Sequence, residues 1–474
     1  MDFLRRNRIS GSTSITNLST YFQNGLTASE PLPPGKMYHS IKHCATSNFV
    51  EGCVIGGGFS VLVSLIPPLL KGKVRRALRD IPSTGNLRVA LFFGLLMTTC
   101  NTGIYLQRQS SPDVTQLRRI RFLIGLVAGG SVLVLPAGVR RFVLYLLVTR
   151  AIEIAARLVK CELRRKHYRM ALAKESMNSS GDNESESSTP SVQTSDPNAE
   201  LFSSHEIVGL ASVSMTVIIT AWFRFTELVP HGYLHFLEGI NNLTTRQVAD
   251  VQHIVKGHAD VSEKIKSIIE RRERMCAVYH SDSEGCLTFY LRFLLKGIVT
   301  RSGPFYLKLY LLPLLFSIAK RRGKNVSAGL AVSFFKRVFW SSLFLATMNA
   351  TAAGAVCAGS HLRPLSYHPR VPLTAHASIG GYLCGLSLYL EQDSRRLELA
   401  LYLFGQALQI LVNAYKATGL WYPTRMDSIS TATSIAVLLY AFWQQESSVI
   451  RAGYASQMSR IIDTCDYRHS FKIF

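Results

Sequence analysis

The feature that most constrains the fold is a series of long apolar runs that carry almost no charge. The run from Val338 to Ser360 contains no charged residue over 23 positions. A helix of about 20 apolar residues spans the hydrocarbon core of a bilayer. Eight further runs have the same character: Cys53–Leu70, Val89–Gln107, Phe122–Gly138, Ile207–Phe223, Gly303–Ala319 (with Lys308), Ala377–Leu390, Leu399–Tyr415 and Ser428–Gln445. One soluble domain cannot bury nine such runs at its centre, so we predict an integral membrane protein.

The apolar runs are typical of membrane helices rather than of barrel strands. They exceed the length of about 10 residues that a barrel strand needs, and they do not alternate between polar and apolar residues. A helix also satisfies its backbone polar groups locally, as lipid requires. We predict an all-α polytopic membrane protein with roughly 8 to 10 transmembrane helices.

One block of sequence occurs twice along the chain. Cys44 is followed by a Glu-Gly-Cys tripeptide that ends at Cys53, and Cys276 is followed by the same tripeptide ending at Cys286. Later signals recur in the same order: GLVAGGSVLVLPAGVRR at Gly125–Arg141 and GYLCGLSLYLEQDSRR at Gly381–Arg396, Thr220–Phe223 and Tyr440–Trp443, Gly232-Tyr233 and Gly453-Tyr454. Duplication is a common way to build a membrane protein, so we predict two tandem homologous helical bundles.

Shifts in composition divide the chain further. A segment rich in Ser, Asn and acids cannot bury enough apolar surface to become ordered. We predict a disordered basic N-terminal tail at 1–40, helices 1 to 4 of the first repeat at 41–174, a disordered Ser-rich acidic loop at 175–204, the end of the first repeat at 205–240, an amphipathic connecting helix at 241–275 and the second repeat at 276–474. The tail also has the composition of a mitochondrial targeting segment, and the connecting helix can pack on the chain or lie on a membrane surface.

The topology depends on one stretch in each copy. Phe142–Val159 carries Arg150, Glu153 and Arg157, whereas its counterpart, Leu399–Tyr415, carries no charge. If both stretches cross the membrane, each copy has five crossings and the second copy is inverted relative to the first. If both lie in the interface, each copy has four crossings and the repeats are parallel. Positive charge borders nearly every run, so the positive-inside rule leaves both topologies open.

The formal net charge is +23, and the basic residues cluster at the ends of the apolar runs. Lys71–Arg76 and Arg164–Lys166 are two examples. This placement fits topology control and anchoring at a bilayer, with anionic lipids as candidate partners. The chain has no basic patch interleaved with aromatic residues and no finger motif, so nucleic acid is not an expected partner.

A few polar side chains interrupt the apolar runs. Arg292 and Lys296 lie one helical turn apart in the first apolar stretch of the second copy, and Glu153 and Asn349 lie within other runs. Charges inside a span usually face the bundle interior or a water path, although long side chains also snorkel to the interface. We take these four residues as candidate pathway residues.

Small residues spaced four apart recur in matching places of the two copies. Such spacing places them on one helix face and lets neighbouring backbones approach closely. The predicted helix-packing residues are Gly52, Gly56, Gly125, Gly129, Gly381 and Gly385.

Paired cysteines open each copy, at Cys44 and Cys53 and at Cys276 and Cys286. Three hypotheses stay open for them: reduced thiols near a helix start, which we favour, a disulfide in each copy, or zinc ligation with nearby histidines. The spacing matches no known zinc finger, so no metal site is predicted. No catalytic constellation or phosphate-binding loop is present either, and we expect neither a cofactor nor an enzymatic activity.

The ordered series of these segments resembles the transmembrane protein 135 family, over most of residues 40–465. The segments that carry the resemblance are Cys44–Cys53, Cys276–His280 with Cys286, Gly381–Ser387, Ser394–Arg396, Tyr422-Pro423, Asp427–Thr431 and Gly453-Tyr454. The resemblance implies a distant likeness to channel proteins of the mitochondrial inner-membrane translocases. It also implies a mitochondrial or peroxisomal membrane and a non-enzymatic role in membrane dynamics or lipid homeostasis. The alternative function is a transporter or lipid-translocating protein with a path at the interface of the two repeats.

Overall fold

The computed structural model describes residues 34–70, 75, 83–109, 114–178, 202–241, 245–256, 285–320, 328–362, 374–419 and 426–443. Over these residues the backbone is almost entirely helical and contains no strand, which confirms the all-α prediction. The helices are α1 (Pro34–Leu70), α2 (Thr84–Gln109), α3 (Val114–Gly129), α4 (Ala137–Asn178), α5 (Ser204–Arg224), α6 (His231–Ile240), α7 (Thr245–Lys256), α8 (Cys286–Gly297), α9 (Gly303–Lys320), α10 (Ala328–Leu362), α11 (Thr374–Leu386), α12 (Asp393–Ala417) and α13 (Met426–Trp443).

Short 3₁₀-helical and π-helical turns separate some of these α-helices. Turns of 3₁₀ helix follow α3, α5 and α11, at Gly130–Val134, Thr226–Leu228 and Ser387–Leu390, and a π-helical turn at Ile298–Ser302 joins α8 to α9. Most of the predicted tail, Ser-rich loop and connecting segment, together with Cys276 and the C-terminal residues beyond Trp443, lies outside the described residues. The helix α7 lies inside the range in which the sequence predicts an amphipathic connecting helix.

Four of the described helices are long and apolar enough to cross a membrane. They are Thr84–Gln107 in α2, Ser204–Arg224, Gly329–Ala358 in α10, and Asp393–Ala417. The shortest has 21 residues. At a rise of 1.5 Å per residue it is about 31 Å long, which matches a hydrocarbon core of about 30 Å. These helices are compatible with an integral membrane protein.

The outer surface of α10 exposes large apolar side chains beside two charged ones. Val332, Phe335 and Phe339 are exposed, and so are Lys336 and Arg337 between them. Exposure of large apolar groups to water is unfavourable. Lipid around this helix would cover the exposed aromatic and aliphatic groups.

The described residues fall into two compact units that divide between Ile124 and Gly125. In the first unit, α1 and α2 form a hairpin in close contact. A Cβ added at Gly52 would lie 2.6 Å from the Phe93 carbonyl oxygen, so only glycine permits this approach. Asn101 donates a 2.9 Å hydrogen bond to Asn48 across the same interface. Backbone proximity and a buried amide pair therefore fix the hairpin.

The second unit is built around α5. A capping box begins this helix: Ser203 Oγ accepts from the Glu206 N–H at 3.2 Å, and the Ser203 N–H donates to Glu206 Oε2 at 2.9 Å. Met215 and Ile218 on this helix are fully buried among side chains of α6, α10, α11 and α12. A 21-residue helix with polar caps and an apolar centre thus becomes the core of the larger unit.

Candidate functional site

The closest helix contact of the second unit joins α11 to α5. A Cβ added at Gly385 would lie 2.2 Å from Ser212 Cα, and one added at Gly381 would lie 2.7 Å from Thr216 Cα. Residue numbers rise along α11 as they fall along α5, so these two helices run antiparallel. Glycine is required at both positions because the neighbour is backbone, which cannot move aside as a flexible side chain can.

A second contact of the same form joins the end of α3 to α13. A Cβ added at Gly129 would lie 2.4 Å from Ala432 Cα, and one added at Gly125 would lie 2.7 Å from Ala436 Cα. These helices also run antiparallel. The interval from Gly125 to Gly381 equals that from Gly129 to Gly385, and the interval from Ser212 to Ala432 equals that from Thr216 to Ala436. The two contacts thus use positions that correspond in the two predicted copies.

In the same unit, α4 packs against α12. A Cβ added at Gly405 would lie 3.3 Å from Thr149 Cγ2 and 3.6 Å from the Tyr145 carbonyl oxygen. The interval from Thr149 to Gly405 is the same as that from Gly125 to Gly381. Residues that correspond in the two predicted copies therefore contact each other here.

Four ionised side chains, which we call the ion cluster, meet at the contact between α4 and α12: Arg150, Glu153, Arg157 and Glu398. Glu153 is buried, with a side chain that is 5% exposed. It pairs with Arg150 Nη1 and Arg157 Nη2, each at 3.0 Å. Arg150 also forms an ion pair with Glu398 on α12. Arg150 follows Thr149 in α4, whereas Glu398 precedes Gly405 in α12, so the two helices run antiparallel. A buried carboxylate tolerates this position because two guanidinium groups compensate for the water it has lost.

The chain breaks twice in the same way, after α3 and after α11. At each break a 3₁₀ turn ends in an extended residue, Leu135 (φ −66°, ψ 144°) or Glu391 (φ −82°, ψ 158°). The N–H of each extended residue donates a 3.1 Å hydrogen bond three residues back, to Val132 and Leu388 respectively. Both extended residues are buried, one apolar and the other a carboxylic acid.

The carboxyl group of Glu391 is fully buried, with a side-chain exposure of 0%. Its Oε1 atom accepts hydrogen bonds from Ser341 Oγ at 2.9 Å and from the Gln392 N–H at 3.3 Å, and it lies 3.7 Å from Arg395 Nη1. Its Oε2 atom is buried and has no hydrogen-bond partner among the described residues. Burial raises the pKa of this carboxyl, against the opposing effects of the Ser341 hydroxyl, the Gln392 N–H and Arg396.

The surroundings of Glu391 come from α9, α10 and α12. Tyr310 on α9 shares a 2.9 Å hydrogen bond with Ser341, and the guanidinium of Arg395 lies 4.9 Å from the centre of the Tyr310 ring. Arg395 Nη1 also donates to Ser341 Oγ at 3.2 Å. Arg396 instead donates to the carbonyl oxygens of Glu391 and Tyr389. We call Tyr310, Ser341, Glu391 and Arg395 the Glu391 cluster.

The structure places the four predicted pathway residues in different surroundings. Glu153 belongs to the ion cluster, and Asn349 donates a 3.1 Å hydrogen bond to the Ile240 carbonyl oxygen at the end of α6. Arg292 and Lys296 are exposed on α8. Glu153 and Asn349 therefore have separate partners, on α4 and at the end of α6.

The first cysteine pair lies within a single helix. Cys44 and Cys53 are nine residues apart in α1, so their Cα atoms are about 13 Å apart, whereas a disulfide requires less than about 7 Å. Cys53 is a free thiol, while the side chain of Cys44 and all of Cys276 lie outside the described residues. The structure thus rules out a disulfide in the first copy.

The thiol of Cys286 lies 4.0 Å from that of Cys357 on α10. Both line a cavity of about 440 Å³ between α8 and α10, whose other lining residues include Phe289, Tyr290 and Gly354. No group of three His, Cys, Asp or Glu side chains that could hold a metal ion occurs in the described part of the chain. The cavity is almost wholly apolar and suits an apolar molecule or lipid chain.

Sequence reasoning missed the Glu391 cluster. Glu391 directly follows the apolar run Ala377–Leu390, so it marked only the end of a run. Its partners on α9 and α10 are distant in sequence, and Ser341 is an ordinary serine inside an uncharged run. The available signal was the mismatch between the two copies, since Leu135 stands where Glu391 stands.

Comparisons of the chain with protein-family models, with curated proteins and with solved structures found no match. The resemblance to the transmembrane protein 135 family stays a prediction from the ordered sequence segments. Inference about function rests on the ion cluster, the Glu391 cluster and the helix contacts around them.

Proposed function

We propose that the chain is a membrane transporter made of two homologous halves of opposite orientation. Each half would supply five of about ten membrane-embedded helices. The first half would comprise α1 to α5, and the second half would comprise α8 with α9, then α10 to α13. The path for the cargo would lie at the interface of the halves, where α4 meets α12.

The observation that carries this proposal is the contact between Thr149 and Gly405, corresponding residues of the two copies. When corresponding residues of two related segments touch, a two-fold axis that relates the segments passes between them. Because α4 and α12 run antiparallel there, such an axis lies across the helices. An axis across membrane helices lies in the plane of the membrane, which defines an inverted repeat.

The contacts of α11 with α5 and of α3 with α13 support the same axis. An operation that carries Gly129 onto Gly385 also carries its partner Ala432 onto Ser212. In each proposed half, the helix before the break therefore packs against the last helix of the other half: α3 against α13, and α11 against α5. These two contacts join the halves within the second unit. We call the interface between the halves, where α4 meets α12, the seam.

The chemistry at the seam fits a path for cargo. Ionisable residues within membrane helices are costly and usually line a substrate or ion route. The proposed axis passes Thr149, and Glu153 with its two arginines follows one helical turn later on α4. Inverted-repeat transporters bind their cargo at the repeat interface and use interrupted helices there. The two helix breaks supply such interruptions in this chain.

The cargo and the location follow from the sequence resemblance and belong to the proposal. A lipid or other amphipathic cargo agrees with the implied role in lipid homeostasis and with the apolar cavity between α8 and α10. The membrane would be mitochondrial or peroxisomal. A non-enzymatic role in membrane dynamics without transport is the competing proposal.

Reconstitution tests the transport proposal. The full chain is placed in sealed phosphatidylcholine vesicles that carry a fluorescent phospholipid and entrapped radiolabelled phosphate. Lipid movement is followed by dithionite reduction of the outer leaflet, and phosphate by its release. We expect faster flux of one probe than in empty vesicles, a marked loss with Glu153→Gln, and little change with the exposed-site control Glu238→Gln. Wild-type vesicles with both fluxes equal to those of empty vesicles would sink the transport proposal and favour the competing one.

A further inference from the structure

One buried carboxyl in the second unit is not required by the backbone of the helix break in which it lies. Glu391 is the extended residue of the helix break after α11. The break after α3 has the same backbone form with a buried leucine, Leu135, at that place. Only one of its two carboxylate oxygens, Oε1, has hydrogen-bond donors, and Oε2 has none among the described residues. A buried ionised carboxylate normally has donors for both oxygens, since each lost hydration bond is costly.

The charged and titratable groups around Glu391 come from each element packed against it. They are Tyr306 and Tyr310 on α9, and Arg395 and Arg396 on α12; α10 contributes Ser341, which does not titrate. His205 on α5 contacts the nearby Tyr389. Arg396 is engaged with backbone carbonyls and with Asp393, so Arg395 is the cation whose pairing depends on the Glu391 carboxylate.

We propose that Glu391 is a proton-binding site and that its protonation releases Arg395 to bind an anionic group of the cargo. This inference rests on the proposed transport function. The proton goes to Oε2, the oxygen that has no donor, and the carboxyl becomes neutral. The neutral form removes the cost of a buried charge and also removes the attraction that holds Arg395 3.7 Å from Oε1.

Arg395 is suited to the second half of this step. Its side chain is 29% exposed, whereas that of Glu391 is fully enclosed. Its hydrogen bond to Ser341 and its ion pair with Glu391 use Nη1, and its guanidinium lies 4.9 Å from the centre of the Tyr310 ring. A guanidinium binds carboxylate or phosphate with paired hydrogen bonds. The anion and the proton would therefore travel together, which keeps the net charge of the loaded site unchanged.

The proton site is tested without transport, through stability. Burial raises the pKa of the folded-state carboxyl, so the folded chain holds more protons than the unfolded chain between the two pKa values. Stability attributable to this group is therefore present below the unfolded pKa and is lost as pH rises through the folded pKa. We expect the midpoint of thermal unfolding in detergent to fall for the wild type as pH rises above the ordinary titration range of a glutamate carboxyl, and to fall less for Glu391→Gln.

Glu238→Gln is the matched control and is expected to keep the wild-type slope, because Glu238 is exposed. Difference infrared spectroscopy gives a second readout: the carbonyl band of a protonated carboxyl should appear in the wild type at mildly acidic pH and be missing in Glu391→Gln. Equal slopes and equal infrared spectra for these two proteins would overturn the proton site.

The release of Arg395 is tested by flux in phosphatidylcholine vesicles. The two anionic probes are fluorescent phosphatidylglycerol in the bilayer and entrapped radiolabelled phosphate, which separate a lipid headgroup from a soluble anion. We expect acid to accelerate wild-type flux of one anionic probe over that of fluorescent phosphatidylcholine. Glu391→Gln should be fast at every pH, and Arg395→Gln slow at every pH with partial rescue by Arg395→Lys.

The outcomes separate the two proposals. Flux that is present but independent of pH in all variants would overturn the Glu391 inference and leave transport intact. A wild type without flux of any probe would overturn transport and the release of Arg395, while the stability and infrared measurements would still decide whether Glu391 binds a proton.

Discussion

Leu135 and Glu391 occupy the same place in two helix breaks of the same form. Each is the extended residue after a 3₁₀ turn, each donates its N–H three residues back at 3.1 Å, and each is buried. Leucine meets the needs of the position at one break without any polar partner. At the other break a carboxyl recruits Ser341 and Arg395 from two further helices.

The comparison separates what the break needs from what Glu391 adds. Since Leu135 sustains the same backbone, the carboxyl at 391 is not required for the turn. A buried ionisable group that the fold does not need is a candidate for function, because it carries a cost in stability. The proposed two-fold relation thus concerns the scaffold, whereas the proton chemistry belongs to one half alone.

The largest expected effect comes from the glycines at the two closest helix contacts, which correspond in the proposed halves. Gly385→Ala and Gly129→Ala place a Cβ 2.2 Å and 2.4 Å from a backbone Cα, which neither helix can avoid without moving apart. We expect each to cost more than about 4 kcal/mol or to prevent folding. Thermal unfolding and gel filtration in detergent measure the effect.

Gly209→Ala is the control, because a Cβ there meets nothing within 4 Å and alanine favours a helix over glycine by about 1 kcal/mol. Folding that survives Gly385→Ala but fails with Gly129→Ala, or the reverse, would show that the two contacts are not equivalent and would break the comparison.

Exchange of the two break residues is expected to have strongly unequal effects. Leu135→Glu buries a carboxylate at a site where leucine is 2% exposed, with an expected cost of about 3 to 5 kcal/mol at neutral pH. Glu391→Leu removes a buried charge and leaves Arg395 partly exposed to solvent, so its cost should be below about 2 kcal/mol. Chemical or thermal unfolding of the two variants gives the difference. Equal costs would mean that the two breaks have the same electrostatic surroundings.

A smaller difference is expected within the ion cluster. Glu153→Gln leaves Arg150 and Arg157 without their carboxylate in a buried place, which should cost about 2 to 3 kcal/mol. Glu398→Gln removes a carboxylate whose side chain is 35% exposed, and solvent screening limits its cost to about 1 kcal/mol or less. A double-mutant cycle with Arg150→Met separates the two pairings. A larger cost at Glu398 than at Glu153 would contradict the burial argument.

The helices themselves could be predicted from the sequence. The uncharged run Val338–Ser360 lies within α10, and Ile207–Phe223 lies within α5, because length and apolar content are local properties. The spacing of Gly381 and Gly385 also indicated a close helix contact, although not the partner helix. Whether α11 packs on α5 of the other copy depends on contacts between distant segments, which no local pattern specifies.

The Glu391 cluster could not be predicted for the same reason. Its members Tyr310, Ser341 and Arg395 lie on three helices, and only their packing brings them to one carboxyl. The rarity of charge in an apolar run predicts Arg292 and Lys296 as pathway residues, and both are exposed on α8. A charge in an apolar run can be read from the sequence, but the groups that pack around it cannot.

Site-directed labelling tests the opposite orientation of the two halves most directly. Gly138 and Ser394 correspond in the two proposed halves, lie just after the two breaks and are both exposed. Each is replaced singly by cysteine in a chain whose native cysteines have been replaced, and sealed vesicles of uniform orientation are treated with a membrane-impermeant maleimide. We predict that one position is labelled in intact vesicles and the other only after permeabilisation. Labelling of both positions from the same side would contradict the inverted repeat.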